Sequence, residues 1–573
     1  MKRLRPVYRF GIVTIALGLG GISPAAEAAG PSTYYIDAEK GDDGHEGTSP
    51  DQAWRTVDAI IGRHFEAGTR ILFHADQTFN GTLYFNPKNT AGKPGNPVTL
   101  GSYGEGRATI TSGAEIGLYV HNVGNIRVEN LNFLGSVDKE TCKSGGFEGS
   151  HGIMLRNDSK ENISGLTLQQ LEITGYCTGI LGTAWEEGVP GKLQDVAVSH
   201  VSVHDNHAAG ILIMGNNTAS GGGYTLGDIS VSHAVVYNHP GVEPAKEPGA
   251  NLSGSAIFVY EAEDVMLEHN IAFDNGGEND CIDGGKTGGG PAAIWAYGRN
   301  ITIQHNEVFH QRTSPQCPWD GIALNGNGSN VLIQYNYTHD NDGLSILQDN
   351  RPGQSNNTVR YNISENDCQA SNNQGMIMVT GDGENFHIYN NTIVTSRKSG
   401  SVGPMVYLGP DNDHGKGRMK NVSFRNNVFV SDNKGPMLMA YGTDRVDGLR
   451  FENNVYYNPN GRYQIDWNGT IYNSLEKWSE QTGQETDGKQ AFWRAIDPGV
   501  CALYSGGTIY PNPLENLTAY RLSMDSPLIN TGWDLLRRYG IDMGKRDFFG
   551  NPPWTGATPD VGAHEFQDGQ ECK

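Results

Sequence analysis

The chain has 573 residues, of which 42 are Lys or Arg and 64 are Asp or Glu, so its formal net charge at pH 7 is −22. Such an acidic chain is a poor partner for nucleic acid or an anionic membrane, because both attract proteins that neutralise negative charge. The length allows two or three ordinary domains or one continuous repeat structure, so the domain count depends on whether the sequence repeats.

The first 28 residues have the pattern of a secretory signal peptide. A basic start precedes an apolar run from Ile12 to Leu19, and small residues lead to a cleavage site after Ala28. No later segment approaches the ~20 apolar residues that a membrane-spanning helix needs. We therefore predict a secreted or periplasmic protein that does not bind membranes.

Cysteine usage agrees with export. An exported protein is expected to form disulfides, and an odd number of cysteines leaves one thiol, which we predict to be Cys572 near the C-terminus. No two cysteines have the CxxC spacing of a zinc site. The seven residues are Cys142, Cys177, Cys281, Cys317, Cys368, Cys501 and Cys572.

A short apolar motif with a central His, Asn or Tyr recurs about every 32 residues. Its copies include VSHVSV at 198, LEHNIAF at 267, IQHNEVF at 303, IYNNTIV at 388 and FENNVYY at 451. Each copy has the alternation of a strand, and the intervening segments are rich in Gly, Asn and Asp rather than amphipathic. Units this small cannot bury a face alone, so they are predicted to stack into a solenoid.

One asparagine recurs at the same position of the motif, which predicts an inward turn residue whose amide bonds to the copies above and below. The copies are Asn270, Asn306, Asn336, Asn362, Asn391, Asn427 and Asn454. We divide the chain into a signal peptide (1–28), an N-terminal cap with the first coils (29–120), a solenoid core (121–460) and C-terminal coils with an insertion and a closing segment (461–573). A helix over 57–66 is predicted to cap the N-terminal end.

The strand pattern resembles the right-handed parallel β-helix of the pectate-lyase-like superfamily of secreted polysaccharide-active proteins. Two flanking segments are also similar to that group, YYIDAEKGDDGHEGTSPDQAWRT at 34 and RDFFGNPPWTGATPDVGAHE at 546. The resemblance implies an all-β solenoid of about eleven or twelve coils, with long loops on one side and an N-terminal cap. It leaves the reaction open, because fold does not determine function.

A repeated Asp-Gly phrase supplies the first candidate catalytic residues. Asp320 and Asp342 each precede a glycine that opens a strand, and they are 22 residues apart. In stacked coils such residues are neighbours at roughly 4.8 Å. Two carboxylates that close cannot both ionise freely, which yields the acid and base of a glycosidase. Asp-Gly is also ordinary turn chemistry, so a purely structural role remains open.

Long loops near this pair provide further candidates, since binding and catalysis concentrate on loops of a rigid scaffold. Asp283 is predicted as a third catalytic partner. Aromatic rings suit the apolar faces of sugars, although Trp295 could equally belong to the core. The predicted substrate-binding residues are Lys286, Arg312, Trp295, Trp319, Tyr297, Glu261 and His339.

Cys281 and Cys317 lie at the same offset, 12 residues, from the motif positions His269 and His305. If the loops keep register, adjacent coils would bring the two sulfurs within reach of a disulfide. Loop insertions of unequal length would prevent it, so both outcomes remain open.

We favour a secreted glycoside hydrolase that cleaves a polysaccharide or oligosaccharide without a required cofactor. The first alternative is a calcium-dependent lyase acting on a uronate-containing glycan, with Lys286 or Arg312 as base and Asp280, Asp283 and Asp342 as Ca²⁺ ligands. The second alternative is a non-catalytic glycan-binding solenoid. The sequence leaves the sugar, the stereochemistry and the oligomeric state open.

Overall fold

The computed structural model describes residues 32–142, 149–184, 191–218, 223–242, 253–278, 291–313, 321–370, 375–396, 403–412, 415–433, 435–570 and 572. Its strands stack in parallel, each on its counterpart one coil away, and form a right-handed parallel β-helix. The repeat and fold predicted from the sequence are therefore confirmed. Within the described residues, no helix is long and apolar enough to cross a membrane.

Each coil contributes strands to three faces, which we call A, B and C. Face A contains Leu83–Phe85, Leu118–His121, His151–Arg156, Thr178–Thr183, Ala209–Met214, Ile346–Asn350, Ile377–Gly381, Val406–Gly409, Leu438–Ala440 and Ile465–Trp467, with Thr470–Tyr472 antiparallel at its end. Face B contains Thr33–Ile36, Arg70–His74, Val98–Tyr103, Ile126–Glu129, Leu166–Gln169, Leu193–Ser199, Leu226–Ser232, Ser355–Arg360, Gly383–Tyr389, Met419–Arg425, Val446–Asp447 and Arg450–Glu452. Three long strands, Ile257–Glu268, Ala292–Gln304 and Ile322–Gln334, run from face A into face B.

Face C is a separate parallel sheet of short strands. It contains Thr78–Asn80, Ala108–Gly113, Leu131–Gly135, Glu172–Thr174, Ser202–His204, Val235–Tyr237, Ile271–Phe273, Glu307–Phe309, Tyr337–His339, Ile363–Glu365, Thr392–Thr395, Val428–Ser431 and Val455–Tyr457. Three two-stranded pairs lie outside the faces: Phe65–Glu66 with Thr90–Ala91, Asn217–Thr218 with Gly223–Tyr224, and Asp411–Asn412 with Gly415–Lys416.

Helical segments are short. Within the described ranges, the α-helices are Leu475–Thr482 and Leu535–Tyr539, and the 3₁₀ helices are Pro50–Gln52, Val57–Ile60, Lys139–Thr141, Thr443–Arg445, Leu514–Asn516 and Thr518–Tyr520. The helix predicted over 57–66 is wrong: a single 3₁₀ turn is followed by the strand Phe65–Glu66. Gly62 explains the early end, because its φ of +78° is incompatible with a continuing helix.

The interior is mainly apolar but contains buried polar groups, and the predicted asparagine ladder among them is confirmed. The backbone N–H of each asparagine donates to the side-chain oxygen of the next at 2.9–3.0 Å, from Asn270 through to Asn454. The side-chain amides are buried and also donate to backbone carbonyls. This ladder satisfies the polar backbone at the turn between faces B and C, where no regular sheet hydrogen bond is available.

Two disulfides are described, Cys142–Cys177 and Cys501–Cys572, while the buried Cys368 is not part of a disulfide. The prediction that Cys572 is unpaired is therefore wrong. Its partner lies 71 residues away in the closing segment, a distance that no repeat register could indicate.

The asparagine ladder ends on a buried carboxyl. Glu485 accepts hydrogen bonds at one oxygen from the Asn454 amide at 2.7 Å and the Tyr456 hydroxyl at 2.9 Å. Its other oxygen is buried and has no partner among the described residues. Burial raises the pKa of Glu485 to about 7, although the bonds from Asn454 and Tyr456 oppose the shift.

We expect Glu485 to make the protein less stable as the pH rises. The folded-state pKa lies above the ordinary value of 4.5, so between these two values the folded chain holds a proton that the unfolded chain releases. The contribution of Glu485 to the free energy of unfolding is therefore complete below about pH 4.5 and is lost as the pH rises through about 7. Glu485→Gln mimics the protonated form and should flatten the pH dependence of the denaturation midpoint between about pH 5 and 8. The matched change Glu480→Gln, at an exposed helix position, should leave the slope unchanged. Equal slopes in wild type and Glu485→Gln would contradict this account.

The C-terminal segment packs against the outside of the solenoid. Leu517, Tyr520, Leu528 and Phe548 form an apolar cluster with face C side chains such as Tyr337. The outer side of face B is partly covered as well, because Tyr389 packs against Leu535 and Met543. The long loops predicted from the sequence precede strands of face A, so the outer side of face A is the candidate location of a functional site.

Candidate active site

The outer side of face A changes character along the solenoid. Because side chains alternate across a strand, every second residue points outward, and register pairs these residues between coils. In the coils just before the candidate site they include apolar, buried residues such as Leu181 and Leu212. From strand Ile257–Glu268 onward they become aromatic and polar, which marks this stretch as the candidate site. Its outward residues are Phe258, Tyr260, Trp295, Tyr297, Asn325, Asn327, Leu347, Asp349, Met378 and Thr380.

Aromatic rings and one guanidinium form a patch at the centre of this stretch. Tyr260 and Tyr297 stack with ring centroids 5.1 Å apart, and the Arg351 guanidinium lies 5.0 Å from the Tyr297 ring. Partial burial opposes the charge of Arg351, but the tyrosines and Asp349 more than offset it, so the pKa of Arg351 is raised and the residue is cationic. Stacked rings beside a fixed charge suit a sugar, whose apolar face is bordered by hydroxyls.

Trp295 lies on this outer side, half-buried, as predicted for a residue that could meet a sugar. Its ring packs edge-on against Phe258, with centroids 4.6 Å apart. The indole N–H is buried and has no partner among the described residues, and the same holds for the side-chain oxygen of Asn325, its neighbour in the next coil. A donor and an acceptor thus lie side by side at the floor of the site.

Asp349 is the carboxylate that the structure adds to the sequence-based candidates. It lies on strand Ile346–Asn350, with its backbone N–H donating to the Asn327 side chain at 2.8 Å. The Thr380 hydroxyl donates to one of its carboxylate oxygens, also at 2.8 Å. Asp349 is therefore oriented by both neighbouring coils, as a reacting group must be.

Asp342 precedes the same strand and is held in place by three contacts. Its carboxylate accepts from the Thr313 backbone N–H at 3.0 Å and lies 3.3 Å from the Arg312 guanidinium, while its own N–H donates to the Gln311 carbonyl. The side chain retains 18% exposure. Arg312 thus contacts the candidate site through its ion pair with Asp342, a candidate catalytic carboxylate.

The register of the repeated Asp-Gly phrase holds as far as the structure describes it. The Gly343 N–H donates to the Gly321 carbonyl at 3.2 Å, so the glycines after the two acids are in adjacent coils. A Cβ at Gly321 would lie 2.9 Å from the Gly343 nitrogen, which explains the glycine. Asp320 itself lies outside the described residues, so its pairing with Asp342 stays a prediction.

Glu261 occupies a β-bulge beside the aromatic patch. The register between two coils shifts at this residue, which has a φ of +54°, and such bulges often redirect a side chain at a functional site. Burial raises the pKa of Tyr297 and Tyr224, and the nearby Glu261 carboxylate raises both further. The structure therefore brings the predicted residues Glu261 and Tyr297 together and adds Arg351, which the sequence had not indicated.

His339 does not belong to this site. It lies on face C, 1% exposed, with its ring stacked between Phe309 and Tyr337. Burial alone would lower its pKa, but Asp340 and Glu307 raise the pKa of His339 to about 9. The C-terminal segment covers this cluster, since the N–H groups of residues 509 and 510 bind Glu307. The proposed contact with substrate is thus replaced by a structural role.

The remaining predicted residues lie outside the described residues: Asp280, Cys281, Asp283, Lys286, Cys317 and Trp319. The Cys281–Cys317 disulfide and the three-acid calcium site accordingly stay predictions. Within the described ranges, no group of three or more His, Cys, Asp or Glu side chains is arranged to hold a metal ion.

Sequence comparison gives one clear relative. The chain is 24% identical over 640 aligned residues to a lacto-N-biosidase of Bifidobacterium longum subsp. longum, and the match covers 95% of this chain but 37% of that protein. The chain therefore spans well under half the length of the relative. No family model matches the sequence.

Solved structures with similar folds are more distant. A GH136 lacto-N-biosidase from Eubacterium ramulus has 17% identity and a TM-score of 0.48, with 68% of this chain and 67% of that chain covered. The pectate lyase Pel9A has 15% identity and a TM-score of 0.30, with 94% and 98% covered.

Proposed function

We propose that this protein is a secreted glycoside hydrolase that cleaves an oligosaccharide at the outer side of face A. The observation that carries the proposal is the sequence similarity to a lacto-N-biosidase, which extends over 95% of the chain. The aromatic rings of Tyr260, Tyr297 and Trp295 support the proposal, because rings on a rigid sheet can pack against the apolar faces of sugars.

The reaction is assigned to aspartates around strand Ile346–Asn350. Glycosidases use one carboxyl group as general acid and a second as nucleophile or base. Asp349, oriented by Thr380 and Asn327, and Asp342, held by Arg312 and Thr313, are the two described candidates. Asp320 and Asp283 remain the predicted partners of Asp342.

Secretion is part of the proposal. The N-terminal pattern predicts a signal peptide, and two disulfides support an oxidising compartment. Treatment with a thiol reductant under native conditions, followed by thiol counting, should reveal four additional reactive sulfurs from the two described disulfides.

The test is an activity assay on the purified chain without its first 28 residues. The name of the relative selects the first substrate, p-nitrophenyl lacto-N-bioside, and neutral and uronate-containing glycans form the rest of the panel. We expect release of p-nitrophenol or new reducing ends, with no absorbance of unsaturated uronate and no loss of rate in EDTA.

Other results would overturn the proposal in defined ways. Unsaturated products that disappear in EDTA would establish the calcium-dependent lyase and reassign Asp342 to the metal. Glycan binding with no product on any substrate, at enzyme concentrations that would reveal a turnover of one per hour, would establish a binding solenoid.

A further inference from the structure

A second concave site lies on face B, away from the aromatic patch. A cavity of about 400 Å³ opens between the strands Ile322–Gln334, Ser355–Arg360 and Gly383–Tyr389 and residues 539–542 of the C-terminal segment. Its volume is within the range of small-ligand sites. Glycines at the boundary between faces A and B separate this cavity from the candidate active site. A Cβ at Gly328 would lie 1.9 Å from the Gly298 carbonyl oxygen, so only glycine fits the bend between the two faces.

A nearly buried guanidinium lines this cavity. The Arg360 side chain is 8% exposed, and its Nε donates to Gln334 while Nη1 donates to the Tyr389 hydroxyl and the Asp542 carbonyl. Its Nη2 makes no hydrogen bond to any described residue. The Asp542 carboxylate lies 3.6 Å away and forms an ion pair with Arg360, but it is 83% exposed to solvent, so water screens this pair. Burial raises the pKa of Tyr389 to about 12, so this neighbour is neutral at pH 7 and adds no negative charge beside the guanidinium.

Two further polar groups of the lining have hydrogen-bonding atoms without a partner among the described residues. His387 uses Nδ1 for the Ser423 hydroxyl at 2.9 Å, and its Nε2 has no partner among the described residues. Burial, with help from Arg425, lowers the pKa of His387 to about 4, so the ring is neutral and its Nε2 is available as a hydrogen-bonding atom for a ligand hydroxyl. The Thr358 hydroxyl likewise has no partner in the described part of the chain, and register places Thr358 beside His387.

Apolar surface completes the lining. Leu332 precedes Thr358 in the same outward column, and Ile541 and the Tyr539 ring face the sheet from the C-terminal segment. A cavity with one buried cation, two hydrogen-bonding groups and apolar walls matches a sugar that carries a carboxylate, because the guanidinium pairs with the acid and the walls contact ring C–H groups.

We propose that this cavity is a binding site for a carboxylated sugar of the uronic acid class, separate from the site of cleavage. Arg360 binds the carboxylate, while Thr358 and His387 bind ring hydroxyls. The site would anchor the protein on an acidic glycan while face A acts on its own substrate. The inference does not rest on the proposed hydrolase activity, since binding at face B is independent of any reaction at face A.

The test is to titrate D-glucuronate into the chain that lacks its first 28 residues. Binding is measured by isothermal calorimetry or ligand-observed NMR. We expect saturable binding, at least tenfold weaker binding of D-glucose and of acetate, and loss of binding in Thr358→Trp, whose indole fills the cavity. Arg360→Gln should weaken glucuronate binding at least tenfold. Thr358→Ser, which keeps the hydroxyl, is the matched control and should bind as wild type does.

Each alternative result has a definite meaning. Equal binding of glucose would refute the role of the carboxylate, and equal binding of acetate would reduce the site to a general anion site. Glucuronate binding that survives Thr358→Trp would place the ligand elsewhere. Thermal unfolding verifies that each variant is folded; if Thr358→Trp is not, Thr358→Val removes only the hydroxyl and should weaken binding at least threefold. Turnover at face A, if present, should be the same in all these variants.

Discussion

Asp349→Asn should reduce kcat on a cleaved oligosaccharide by about 10²–10⁴-fold, the contribution typical of a positioned acid or base. Asparagine keeps the size of the side chain and the acceptor for the Thr380 hydroxyl, so the geometry of the site should survive. The substitution removes the ability of the side chain to ionise, and therefore its ability to act as an acid, a base or a nucleophile. KM should change by less than about threefold, because the aromatic patch that contacts the sugar is unaltered.

The matched control is Asp264→Asn. Asp264 is an exposed aspartate of the same solenoid that also accepts a hydrogen bond, from Asn300 at 2.9 Å, but it lies outside face A. Its variant should retain full activity. Asp342→Asn should resemble Asp349→Asn; if only Asp342→Asn is inactive, the chemistry lies at the Arg312 end of the site. An Asp349→Asn protein with more than about a tenth of wild-type kcat would remove Asp349 from the mechanism.

The repeat architecture could be predicted from the sequence because each coil solves the same local problem. At the turns between faces B and C from Asn270 to Asn454, an asparagine such as Asn336 or Asn362 bonds the buried backbone with its side-chain amide. That requirement repeats with the coil, so it is visible as a period. The closing segment has no such requirement: its contacts join residues about 200 positions apart, as between Glu307 and residue 509, and depend on the finished solenoid.

Of the described catalytic candidates, the sequence indicated only the one that repeats. Asp342 was found because Asp-Gly occurs in two successive coils, and Gly321 and Gly343 confirm the register behind that argument. Asp349 has Asn327 and Thr380 as its counterparts, so no repeated phrase marked it. A weaker signal existed: it is a charged residue at an outward position of the strand Ile346–Asn350. His339 was misplaced because nothing local indicates that the C-terminal segment covers face C.

Asn362→Ala should destabilise the protein by about 3–5 kcal/mol, since each buried polar group left without a partner costs about 1–3 kcal/mol. The Asn362 side-chain oxygen accepts from both the backbone and the side-chain amide of Asn336. Its own amide donates to the carbonyls of Ile333 and Arg360 and to Asn391. Alanine removes all of these bonds at a position that is 2% exposed, where water cannot replace them.

Asn356→Ala in the same coil is the control, because it also belongs to a column of bonded asparagines, but an exposed one. Water can replace its two bonds, and the main cost is alanine at a φ of +63°, which should keep the loss below about 1.5 kcal/mol. The measurement is the urea midpoint of unfolding of each variant at one pH, monitored by circular dichroism. Similar midpoints for the two variants would mean that the buried ladder stabilises the solenoid no more than the exposed one does. A large loss confined to Asn362→Ala would identify the buried amide column as a source of the stability of the coils.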